Sequence, residues 1–282
     1  MSSVLYDAPG PLARRRERIG SVLGVLALIA LIGGALWYAN GQGLLATDHW
    51  DVLYDPPKEK AASDVWRSMA VVGLGATLRA AVVAAPLAFI LGLGLAVWRT
   101  SRRRWLRAPA VVIIELFRGL PVLLMMFFGL LGLGWSAFAA VAFGLTVYNM
   151  AIIAEILRAG LVALPRGQAE ASYAVGLTRP QTLLKVLLPQ AIRTMLPSLV
   201  AQLIVLLKDS SLGFIVGYPE LLKSVQNNAQ YFGTDYFVAL FVVGLAIYLA
   251  VNLSLSKLAR WVEARTRRTT SAAVPIPVPT GV

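Results

Sequence analysis

Lys208 and Asp209 sit inside a long apolar run and are followed directly by Ser210, Ser211 and, one residue on, Gly213, so a cation, an anion and two hydroxyls are neighbours. An ionisable group in such a run costs roughly 2.5–3.5 kcal/mol on insertion scales, so each must have a partner, an interface or a function. Two readings stand for this patch. Lys208 and Asp209 pair to fix their own helix, or Asp209, Ser210, Ser211 and Lys208 line the path of a polar solute. Pro197, Gly213, Gly217 and Pro219 predict an interrupted helix here, and unwound backbone is tolerated in a membrane only where it is buried in protein or lines a cavity. Glu115/Arg118 and Glu155/Arg158 repeat an i, i+3 spacing within other apolar runs. They read either as local ion pairs snorkelling to the interface or as gating and inter-helix contacts.

Most other chemistry is excluded by composition. The chain has no cysteine and one histidine, His49, which lies between Asp48 and Trp50 in the most polar stretch and reads as a surface residue. Disulfides, thiolate nucleophiles, a Cys/His metal cluster and a triad needing a second imidazole are ruled out. No Gly-x-x-x-x-Gly-Lys-Ser/Thr phosphate loop occurs. Gly73, Gly75, Gly92 and Gly94 fall in an apolar helix, where small residues serve packing. A membrane-embedded hydrolase or transferase would need more catalytic bases than the scattered carboxylates supply.

The elements that must position these residues follow from hydropathy. Of 282 residues, 58% are hydrophobic and 14% charged, and mean hydropathy is +0.71, whereas soluble domains are nearer 45–50% apolar and 25% charged. The expected fold is an all-α polytopic membrane protein of about six transmembrane helices. Expected spans are 19–38, 68–98 (interrupted by Arg79 and Pro86), 111–133, 135–164, 196–216 and 236–255, with Gly132 and Gly134 turning the third into the fourth. The first follows Arg14, Arg15, Arg16 and Arg18 and is longer than the core of a secretory signal peptide. Alternating segments of a transmembrane barrel do not occur.

The formal charge of +12 resolves into position. Basic residues gather before the first span, at Arg99 and Arg102 to Arg107, over 165–195, and in the tail from Lys257 to Arg268. The positive-inside rule then places both termini and those loops in the cytoplasm. The acidic stretch with Asp48, Asp51, Asp55, Glu59 and Asp64 falls outside. The basic charge thus marks topology rather than a nucleic-acid site. Three regions are expected: an N-terminal extension, 1–65, with a first span and an acidic loop; a transmembrane domain, 66–262; and a disordered cytoplasmic tail, 263–282.

The 165–195 segment predicts two short helices. Small residues cluster from Ala169 to Ala174, and Gly176 offers a left-handed stop. Thr178 and Gln181 form a capping box for a second helix running to Pro189. The first helix lacks large apolar anchors beyond Tyr173, which favours docking into a cleft on another protein over lying on the membrane.

These residues carry a family resemblance. Glu170-Ala171-Ser172, Gly176 and Val186-Leu187-Leu188-Pro189 resemble the EAA loop of importer-type ABC permeases, with Ser172 in place of the second Ala and Val186 in place of Ile. Glu115-Leu116-Phe117-Arg118-Gly119-Leu120-Pro121, Ala154 to Gly160, Pro165 to Gln168 and Leu206 to Leu212 are similar to segments of the polar amino-acid uptake branch, with Leu120 in place of Thr. The matches cover roughly residues 68 to 260, and the first 65 residues resemble those of longer permeases in actinobacterial glutamate uptake systems. The resemblance implies an inner-membrane permease subunit, not itself an enzyme, importing a polar amino acid such as glutamate. Glu170, Ala171, Ser172, Gly176 and Pro189 would then belong to the coupling element that meets the ATPase. It implies two ATPase subunits, a second permease chain, identical or homologous, and an extracytoplasmic solute-binding protein as partners. This chain would hold no cofactor, and ATP and Mg would bind the ATPase. The competing class is a stand-alone secondary transporter or channel with Lys208/Asp209 as an ion relay, which leaves the docking helix unexplained.

Overall fold

The computed structural model describes residues 10–271, which are helical with no strand among them. Nine helices carry the fold: α1 Pro11–Gly41, α2 Ala62–Arg99, α3 Arg104–Gly119, α4 Val122–Gly132, α5 Ala137–Ala163, α6 Arg166–Ala174, α7 Arg179–Phe214, α8 Leu221–Phe232 and α9 Phe237–Ser271. Five are long and apolar enough to cross a membrane, and the bent pair α3–α4 makes a sixth candidate. Residues 272–282, the end of the expected tail, lie outside the described residues; 263–271 continue α9 as helix.

α5 is the central helix. It is surrounded by α2, α3, α4 and α7, and buries residues on every side from Ala140 to Gly160. α2 meets it with a stripe of small residues, Ala80, Ala84, Ala88, Gly92 and Ala96, all fully buried or nearly so. Lipid gives helices no hydrophobic reason to associate, so close van der Waals approach must supply the attraction. Gly92 shows how close: a Cβ there would fall 2.7 Å from the Met150 carbonyl oxygen.

Three apolar tiers stack along the bundle. At the end carrying Arg99 to Arg107, called here the basic end, Leu95 and Ala96 join Ala110, Ile114, Ile153 and Leu157. The middle tier joins Ala80 and Ala84 to Met126, Leu145 and Leu206. At the opposite, acidic end, Val65 and Met69 meet Leu221, Val225, Phe232 and Leu240.

Two expected spans take a different form. The third is split: α3 and α4 meet at a bend of 101° around Leu120 and Pro121, because the residue before proline is driven out of the helical region; Leu120 has ψ 136°. α7 runs unbroken through Pro189, where the sequence predicted a stop. A π turn over Thr182–Leu187 precedes that proline, and its wider winding loosens the backbone where proline removes a donor. Lys208 and Asp209 consequently lie at the far end of α7 rather than its middle, just before a 3₁₀ turn over Ser210–Phe214.

The N-terminal extension divides physically into two parts. α1 has no buried residue. The acidic stretch, in contrast, is built into the third tier: Val52 is fully buried, and the Trp66 indole N–H donates to the Leu53 carbonyl at 3.0 Å.

Replacing Gly92 by valine inserts branched carbon where the Met150 backbone already stands. Overpacking of this kind typically removes about 1–3 kcal/mol, so thermal unfolding of the purified protein should begin several degrees lower, whereas Gly94→Val, at a position with open space, should leave it unchanged.

Candidate functional site

α6 is positioned by its ends. Pro165 precedes it in extended conformation, and Gly176 closes it with φ +84°, a region that disfavours any side chain. The Leu177 N–H donates back to the Ser172 carbonyl at 3.1 Å and the Gly176 N–H to that of Tyr173 at 3.0 Å, a wrapped terminus of the Schellman kind. Ser172 is turned inward, 5% exposed, and its hydroxyl donates to the Gln168 carbonyl at 2.7 Å. Gln190 of α7 donates to the Gln168 side-chain oxygen. Glu170, Ala171 and Ala174 remain exposed. The result is a two-turn helix anchored from below, presenting a shallow face with one carboxylate. The expected cap of the next helix is present, with the Thr178 N–H donating to Gln181 Oε1 at 2.9 Å. Pro189 lies in the continuous α7, exposed and away from any helix end.

The charged pairs form unequal contacts. Glu155 accepts from Arg158 Nε at 2.8 Å and Nη2 at 2.6 Å, and from Arg99 Nη1 at 2.7 Å. Its carboxylate therefore ties the last turn of α2 to α5, an inter-helix contact that the reading of Arg99 as a topology signal missed. Among the described residues Glu115 and Arg118 pair only with each other, on α3, and stay more exposed.

The Lys208 to Ser211 patch is not closed on itself. No ion pair joins Lys208 to Asp209 among the described residues. Lys208 is exposed and Asp209 partly buried. The two hydroxyls return to their own helix, Ser210 to the Leu207 carbonyl at 2.6 Å and Ser211 to that of Lys208 at 2.7 Å. Beside them lies a cavity of about 180 Å³ lined by Ser211, Glu220, Val225, Phe241, Gly244 and Tyr248. The Tyr248 hydroxyl is buried there and makes no hydrogen bond among the described residues.

Three polar residues of the interior escaped the sequence reading. Asn149 on α5 is fully buried, donates to the Leu145 carbonyl at 2.7 Å and accepts from Gln202 of α7 at 2.8 Å. Both are uncharged amides, so a search for charges in apolar runs passes over them. Glu220 caps α8, accepting from the backbone N–H groups of Leu222 at 2.9 Å and Lys223 at 2.7 Å. Burial raises its carboxyl to about 7 despite those two donors, which act the other way.

Comparison with known proteins decides what this arrangement serves. Residues 86–268 match the family described as binding-protein-dependent transport system inner membrane component. The chain belongs to that family. The glutamate transport system permease protein GluD of Corynebacterium glutamicum is 41% identical over 236 residues, which is 81% of this chain and 83% of the relative. The probable glutamine ABC transporter permease protein GlnP of Bacillus subtilis is 37% identical over 68% of this chain and 91% of its own length. Among solved structures, a chain of an amino acid ABC transporter crystallised with histidines superimposes with a TM-score of 0.65 at 30% identity, covering 72% of this chain and 97% of that one. The MetNI methionine ABC transporter shares the fold at a TM-score of 0.54 and 24% identity. This permease is therefore a multi-pass inner-membrane subunit of an ABC amino-acid importer, with ATP hydrolysis the work of another subunit.

Glu220 gives the permease a pH-dependent stability. A carboxyl whose folded pKa lies at about 7, above the unfolded value of about 4.3, binds its proton more tightly when folded. Stability is then fullest below about pH 4.3 and falls as pH rises from there through about 7, by up to roughly 4 kcal/mol. Glu220→Gln should flatten the dependence of the unfolding temperature between pH 5 and pH 8 attributable to this group; an unchanged slope would assign the burial no such effect.

Proposed function

We propose that this permease imports glutamate as part of an assembly of two ATPase subunits, a second permease chain and an extracytoplasmic solute-binding protein. On this reading ATP and Mg bind the ATPases, the basic end and both termini face the cytoplasm, and α6 is the coupling helix. The observation that carries the coupling assignment is the form of α6: a short helix held rigidly by Gly176 and Ser172, exposed on one face, and joined covalently to both α5 and α7. Movement of the ATPases would turn α6, and α5 and α7 would follow through the Asn149–Gln202 contact. Glutamate is chosen on the 41% identity to the Corynebacterium permease and on the resemblance of the first 65 residues to those of longer permeases in actinobacterial glutamate uptake systems.

The solute path is assigned to Asp209, Ser211 and Lys208, with Ser210 holding the turn from beneath. Asp209 suits an α-ammonium group and Lys208 an acidic side chain, an arrangement that fits a zwitterion with one extra carboxylate. On this reading Ser210, fully buried and donating to the Leu207 carbonyl, supports the path rather than facing it.

ATP-dependent uptake in reconstituted vesicles tests both parts. Glu170→Arg or Gly176→Asp should leave the chain inserted but reduce uptake about tenfold or more, since an unpaired charge buried in an interface costs roughly 2–5 kcal/mol. Normal uptake in either would remove the coupling assignment. Asp209→Ala should instead keep ATPase association and raise the half-saturating solute concentration about tenfold, the loss of one charge-assisted hydrogen bond; unchanged solute kinetics would leave Asp209 a structural residue.

A further inference from the structure

The elbow between α2 and α3 carries a second surface, apart from the proposed solute path and coupling helix. Because α3 meets α4 at 101°, it does not continue the span but lies across the basic end of the bundle. Its inward face is fixed by Ala110 and Ile114, both fully buried and clustered with Leu95 and Ala96 of α2 and Ile153 and Leu157 of α5. At about 100° per residue, the opposite face carries Trp105, Val112 and Leu116, which are 67%, 63% and 52% exposed. An edge between those two faces carries Arg104, Arg107, Glu115 and Arg118, and the edge across from it carries Leu106 and Ile113. The helix therefore has one side for the bundle, an apolar side and a charged rim.

The rim is not neutralised. Arg102, Arg103, Arg104 and Arg107 are all exposed, and none takes part in an ion pair among the described residues. Glu115, the one carboxylate on α3, is occupied by Arg118. Four arginines within six residues thus flank an exposed tryptophan and an exposed apolar stripe. Helices with a basic polar face and an apolar face lie in the membrane interface, tryptophan settles at headgroup depth, and basic clusters at that depth attract anionic lipid. An acidic protein surface would satisfy the arginines but would leave Trp105, Val112 and Leu116 facing water.

We propose that Arg102, Arg103, Arg104 and Arg107 bind the phosphodiester headgroups of anionic phospholipids, with Trp105 seated among those headgroups, and so hold α3 in the plane of the membrane surface. The far end of α3 leads through Gly119 to Pro121 into α4, so the lipid contact sets the position of that hinge. The inference does not depend on the solute, on the coupling assignment, or on which side of the membrane the basic end faces.

The test uses the complete transporter in vesicles of phosphatidylcholine alone or with about one third phosphatidylglycerol, an anionic fraction large enough to create a negative surface. Lipid retained through purification is measured by native mass spectrometry, and uptake is measured in both membranes. The wild type should retain phosphatidylglycerol in preference to phosphatidylcholine and transport several times faster when it is present. Replacing the arginines by glutamine one at a time, which leaves enough charge for insertion, should lower retention stepwise by about fivefold per arginine. The fourfold lysine variant should keep it, since lysine carries the same charge. Equal retention in the wild type and the glutamine variants would overturn the proposal. Loss of the ATPase subunits from those variants in both membranes would assign the arginines to a protein surface instead, and would also overturn it.

Discussion

A helix that crosses hydrocarbon has no water to satisfy an unpaired N–H or carbonyl, and the three π turns of this permease each lie against a neighbouring helix. The π turn over Arg67–Gly73 opens α2 just where α8 docks. There Asn228 donates to Ser68 Oγ at 2.7 Å, Thr77 accepts the Leu221 N–H at 3.2 Å, and Tyr218 donates to the Ala76 carbonyl at 2.8 Å. The π turn at Phe128–Gly132 places Gly129 against Ala140 of α5. The third, in α7, lies beside α6.

The same constraint explains the division of labour among polar residues. Several that join helices are paired: Asn149 with Gln202 between α5 and α7, and Glu155 with Arg99 and Arg158 between α2 and α5. Those left with capacity are at the edges, at Asp209 and the Tyr248 hydroxyl near the acidic end and at Glu170 on α6. On the proposed reading, solute and ATPase meet the permease at those edges, and the enclosed pairs keep α2, α5 and α7 moving together.

Much of this was legible before the coordinates. The spans 19–38 and 68–98 fall within α1 and α2, and 135–164 and 236–255 overrun α5 and α9 by no more than two residues at an end, because twenty apolar residues leave few alternatives in lipid. The stop at Gly176 and the cap at Thr178 were equally clear, being local backbone chemistry. What hydropathy could not show was direction. Residues 111–133 are apolar apart from Glu115 and Arg118, yet Pro121 turns them through a right angle, and only the packing of Ala110 and Ile114 shows where α3 goes. Pro189 misled in the opposite sense, because a proline ends an α-helix but not one whose preceding turn is already widened. The acidic stretch was read as loop by its charges; Val52, Trp50 and Leu53, spaced among them, are what build it into the core.

The absence of cysteine makes the central claim directly measurable. A single cysteine introduced at the exposed Ala171 gives one reactive point on α6, and a short heterobifunctional crosslinker, thiol-reactive at one end and photoactivatable at the other, can be applied to the assembled transporter with and without ATP. Crosslinking to the ATPase subunit in high yield, changing with nucleotide, is the result expected of a coupling helix. No crosslink at Ala171, with efficient capture of the ATPase from a cysteine placed in the Arg102–Arg104 turn instead, would contradict it.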